Sequence, residues 1–123
     1  MTKVKLAKKV LESCLKDKEG NPCYCTIPVI VDKKMIDSKV SEALCEKFPN
    51  NKIDDFYGRY LTISVKVPLD IELTVENDKL PAGEKFSEVY KVISWENMGT
   101  YQEPLLNQMP CYLPRKDFWE IVE

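Results

Sequence analysis

Apolar and polar positions alternate most regularly between residues 60 and 75. Leu61, Ile63, Val65 and Val67 alternate with Tyr60, Thr62, Ser64 and Lys66; Leu69, Ile71, Leu73 and Val75 alternate with Asp70, Glu72 and Thr74. A period of two marks strands with one face on a core and the other in water. Pro68 divides the run. It predicts either a hairpin bent there or one long edge strand kinked at the proline. Residues 23–31, with their β-branched Ile27, Val29, Ile30 and Val31, predict another strand. Pro28 removes a ladder donor from it, which points to an edge strand or a bulge.

Elsewhere the spacing is three and four. Val4, Ala7, Leu11 and Cys14, with Val10 and Leu15 beside them, predict an amphipathic helix over about 3–17, capped by Thr2 and stopped by Gly20-Asn21-Pro22. Val40, Ala43, Leu44 and Phe48 predict a second helix over 38–48, with Asp37 or Ser38 as its cap. Residues 86–95 fit either period, and their Val, Tyr, Ile and Trp content favours a strand. Pro114 at a first helical position, followed by Phe118, Ile121 and Val122, predicts a short C-terminal helix.

Together these elements predict one α+β domain spanning residues 1–123. It has a largely antiparallel four- to five-stranded sheet, two main helices (about 3–17 and 38–48) on one face, and a short C-terminal helix. With 123 residues, 44% of them hydrophobic, the chain can build a core without staples.

Charge narrows the partners. Lysine and arginine total 18 against 20 acidic residues, a net of −2, and Arg59 and Arg115 are the two arginines. A nearly neutral chain poor in arginine forks argues against nucleic-acid or membrane-surface binding. No apolar run reaches the length of a membrane span. The lysine-interrupted N-terminus lacks the apolar segment of a signal peptide. Five cysteines, an odd number, then read as reduced thiols in the cytoplasm.

The chain contains no histidine. That removes Ser-His-Asp and Cys-His catalysis, histidine-ligated zinc and the usual neutral-pH base. Gly20, Gly58, Gly83 and Gly99 are isolated, so no phosphate cradle can be drawn and no cofactor is expected. Cys23 and Cys25 share a strand face; with Cys14 and Cys45 they form a weak candidate metal or redox set, whose other reading is as small buried apolar side chains. Asp54, Asp55, Glu72, Glu96 and Glu103 are the carboxylates available to a histidine-free hydrolase.

Residues 95–112 are long, aperiodic and rich in aromatics and amides. Such a segment predicts a binding surface, with Trp95, Asn97, Tyr101, Gln102, Asn107 and Tyr112 as the candidate contacts; its other reading is that Trp95, Leu105 and Leu106 fold back as core and the amides lie merely at the surface. The sequence therefore points to a small non-enzymatic binding or inhibitor protein, of a kind encoded by phages and mobile elements against a host system. Its partner is another protein or a small ligand, and sheet edges make a homodimer a secondary expectation. The alternatives are a cysteine-based metal or redox protein and a carboxylate-based hydrolase.

Overall fold

The structure, a computed structural model, describes residues 1–12, 15–16, 22–48, 52–53, 60–80 and 88–122. Its strands are β1 (Thr2–Leu6), β2 (Leu15–Lys16), β3 (Pro22–Asp32), β4 (Lys52–Ile53), β5 (Tyr60–Val67), β6 (Glu72–Asp78), β7 (Val89–Glu96), β8 (Cys111–Leu113) and β9 (Trp119–Val122). The helices are α1 (Lys8–Glu12) and α2 (Ser38–Lys47). Among the described residues seven strands have three or more residues, so the expected four- to five-stranded sheet with two main helices is corrected to a mostly β architecture with one substantial helix.

The helix expected over 3–17 is replaced by β1, the five-residue α1 and β2. Val4 and Leu6 satisfy a period of two as well as the helical spacing. Pairing decides between them, because β1 lies between β6 and β9 and is hydrogen-bonded on both sides. The short C-terminal helix is also corrected. A 3-10 turn at Lys116–Phe118 leads into β9, where Trp119, Ile121 and Val122 follow their β-propensity onto β1. The helix expected over 38–48 is α2. Asp37 caps it, its carboxylate accepting from the Val40 N–H at 2.8 Å, and Leu44 is fully buried beneath it.

All pairings are antiparallel, in the order β4-β5-β3-β8-β7-β6-β1-β9, with β2 on β3. The two strands flanking Pro68 are therefore neither a hairpin nor one kinked strand. β5 pairs with β3 and β4, whereas β6 pairs with β1 and β7. Between them the Ile71 N–H donates to the Pro68 carbonyl at 3.2 Å. Such a turn holds its ends within about 7 Å, while a flat sheet would separate β5 from β6 by four strand spacings, about 19 Å. The sheet must therefore curl. β4, β5 and β3 face β7, β6, β1 and β9 across one core, and β8 is the bridge.

Odd-numbered residues of β3, β5 and β6 (Ile27, Val29, Ile63, Val65, Leu73, Val75) fill that core together with Val4, Leu6 and Leu44. On the other face of the sheet, near β8, Ile30, Tyr60, Leu80, Val89 and Tyr112 form a second, smaller cluster. β3 is not an edge strand. However, β2 and β8 pair with it at Pro22, Tyr24, Ile30 and Val31, so among the described residues 25–29 have β5 alone beside them. Pro28 falls in that stretch, where a missing donor costs least.

Candidate functional site

The long aperiodic segment emerges from β7 and returns as β8, the strand that joins the two halves of the sheet. Its path begins with two left-handed residues, Asn97 (φ 58°) and Gly99 (φ 55°), which turn the chain off the end of β7. Asparagine and glycine are the residues that reach this region at least cost. Two 3-10 turns follow, at Gly99–Tyr101 and Pro104–Asn107. Glu103 ties the second one down. One carboxylate oxygen accepts from the Leu105 N–H at 3.3 Å, and the other pairs with Lys47 Nζ at 3.3 Å, anchoring the segment to the last turn of α2.

Met98, Leu105, Leu106 and Met109 are buried in the main core, whereas Asn97, Gln102, Asn107 and Gln108 are exposed. The Cys111 thiol donates to the Leu106 and Met109 carbonyls at 3.8 and 3.7 Å, closing the return into β8. Tyr101 is half-buried. Its ring centre lies 5.9 Å from that of Tyr24 at a 49° tilt, and Lys66 Nζ sits 4.8 Å from the Tyr24 ring centre. The segment thus sets Tyr101 against Tyr24 of β3, over whose ring Lys66 of β5 sits, and carries exposed amides at Gln102, Asn107 and Gln108.

Of the sequence candidates, Tyr101 is in the aromatic pair, and Gln102 and Asn107 are exposed. Asn97 is exposed as well, but its Nδ2 donates to the Asp70 carbonyl at 3.5 Å and its backbone makes the turn. Trp95 is half-buried against the core, opposite Leu73. Tyr112 is set apart from the others. It is 8% exposed and lies in the second cluster, on the other face of the sheet. Burial raises its phenol pKa above the ordinary value, and the Asp78 and Asp32 carboxylates push it further the same way. Asp32, 4% exposed, accepts from the Lys34 N–H at 3.0 Å.

Tyr24 and Lys66 escaped the sequence reading. They come from different strands, and only the β3–β5 register, which sets Thr26 opposite Lys66, brings them near each other. Glu103-Pro104 did carry a signal: a capping acceptor followed by proline at a first helical position.

The cysteines are dispersed. Cys25 and Cys111 are buried, and Cys45 is exposed on α2. Cys14 lies outside the described residues, and Cys23 is described only as backbone of β3. Among the described residues no group of three or more cysteines and carboxylates could hold a metal ion. Burial pushes the Cys111 thiol up to about 12, so it is a neutral donor and not a nucleophile.

Asp54 and Asp55 also lie outside the described residues. Glu72 and Glu96 stand directly opposite each other on β6 and β7, with Lys3 Nζ between them at 3.9 and 3.2 Å. The Thr74 and Ser94 hydroxyls donate to Glu96 at 3.4 and 3.5 Å. Both carboxylates are partly exposed on the polar sheet face, and the lysine offsets their mutual repulsion. No described helix is long and apolar enough to cross a membrane.

Fold and surface together define a curled antiparallel β-sheet domain with a stapled, amide-bearing connection between the adjacent strands β7 and β8. Comparison with family models, curated proteins and solved structures finds no match in any of the three.

Proposed function

We infer that this chain is a binding protein that acts by contact with another protein through the outer side of residues 97–110. The observation that carries this reading is the division of labour within the segment. Its apolar side chains are spent on the core, while Gln102, Asn107 and Gln108 are exposed and Tyr101 packs on Tyr24, over whose ring Lys66 sits. A surface of this kind is fixed before the partner arrives, so little ordering entropy is lost on binding. Aromatic anchors supply contact area and the amides supply adaptable hydrogen bonds. A cytoplasmic setting suits the three described thiols, Cys25, Cys45 and Cys111, none of them in a disulfide.

The test compares affinity capture by the wild type, by a Gln102→Arg/Asn107→Arg double variant and by a Lys39→Ala control, at matched thermal stability. All three positions are exposed, so the fold should persist. A saturable protein interactor kept by the wild type and the control, and weakened at least about tenfold by the two arginines, supports the surface. Undiminished binding by the double variant refutes it.

A further inference from the structure

The outermost strand of the longer flank carries a second, unrelated feature. β9 ends the strand order, and among the described residues no strand pairs with its outer side. Ile121 lies opposite Val4, which is fully buried, yet Ile121 itself is 65% exposed. The core-side face of the sheet therefore runs out at a large apolar side chain. Edges are commonly protected by lysine, proline or a bulge. β9 has none of these. Its sequence is Trp-Glu-Ile-Val, and its one charge, Glu120, is on the polar face beside Lys5.

The hydrogen-bond phase of this edge can be derived. The Ala7 N–H donates to the Phe118 carbonyl at 2.7 Å, one step beyond β1–β9 and in the same register. Antiparallel pairs alternate between bonded and non-bonded. Lys5 with Glu120 and Lys3 with Val122 are therefore the bonded pairs. The backbone N–H and C=O groups of Trp119 and Ile121 point away from β1, toward the open side.

We propose that β9 is a homodimer seam, at which a second copy of this chain adds its own β9 antiparallel across a two-fold axis centred on Ile121. A two-fold antiparallel pair must set residues of the same face opposite each other. Centring on Ile121 makes Ile121 and the partner's Ile121 a bonded pair, using the groups that point outward. It also places Glu120 opposite the partner's Val122. The polar row then reads Glu72, Lys5, Glu120, the partner's Val122, the partner's Lys3, with no like charges directly opposite each other across the seam and the two Glu120 residues only diagonal neighbours. Shifting the axis to Glu120 would set two carboxylates opposite each other in a non-bonded pair, where side chains approach most closely. Charge and hydrogen-bond phase thus agree on the isoleucine-centred register. A four-residue seam buries less than the ~800 Å² per partner of a standard interface, so the dimer is weak and forms by mass action.

Sedimentation velocity from micromolar to millimolar protein tests this, in reductant so that exposed Cys45 forms no cross-link. The expected result is a concentration-dependent monomer–dimer equilibrium, with slowed amide exchange at Ile121 as dimer accumulates. Ile121→Lys, an exposed position, should weaken association at least about tenfold by setting two ammonium groups opposite each other, and Ile121→Val should retain it. A wild type that stays monomeric at millimolar concentration overturns the proposal. So does a dimer that Ile121→Lys leaves intact.

Discussion

Burial keeps the Cys111 thiol neutral, and this has consequences for both reactivity and stability. Its pKa rises from an ordinary 9.0 to about 12, with desolvation as the cause. In the folded chain the thiol stays protonated through mildly alkaline solution, whereas in the unfolded chain it ionises near 9.0. Because the folded value is the higher one, the associated stability is complete below about pH 9 and is lost as pH rises toward 12. Thermal denaturation between these limits should therefore fall more steeply for the wild type than for Cys111→Ala. Mass mapping after brief iodoacetamide treatment at pH 8 should find Cys45 modified, and Cys25 and Cys111 modified only after unfolding. The exclusion of histidine chemistry belongs to this scale too, and it needed no structure. Exposure did: nothing in the letters distinguishes Cys45 from Cys25, and it is tertiary packing that buries one and leaves the other in water.

Among elements, α2 was legible because its signals agree. An Asp cap, an apolar stripe at helical spacing and a following Pro49 all mark the same segment. Asp37→Ala should destabilise the protein by about 1 kcal/mol, read from urea denaturation, by leaving the Val40 N–H without its acceptor. In the segment 3–17 the signals disagree. Val4 and Leu6 alternate with lysines, as in a strand, while Val4, Ala7 and Leu11 keep helical spacing. Local propensity is too weak to choose, and two long-range ladders, from β6 and β9, decide it. At 97–110 the sequence showed that something aperiodic and aromatic was there. The sorting of its side chains into core and surface depended on the Glu103 staple and on the left-handed turn at Asn97.

At the scale of the whole molecule the curl of the sheet governs stability. Leu73 faces the shared core from β6 and is fully buried, while Ile93, on neighbouring β7, is 43% exposed where the register shifts. Leu73→Ala should cost about 2–5 kcal/mol, because the flanks cannot collapse onto the missing atoms. Ile93→Ala should change stability by less than about 0.5 kcal/mol, and equilibrium unfolding of the two variants separates these outcomes. The sequence alone determined that alternating strands flank Pro68, expected at 60–67 and 69–75 and found at 60–67 and 72–78, that a helix follows Asp37, expected over 38–48 and found over 38–47, the absence of histidine chemistry and the near-neutral charge. Each of these is a local or compositional property. Tertiary structure decided that β1 is a strand, that the strands around Pro68 part to opposite flanks, that Tyr24 meets both Lys66 and Tyr101, and that Ile121 is left at an edge. Each of these depends on pairing between residues far apart in the chain, and periodicity carries no information about which strand will lie beside which.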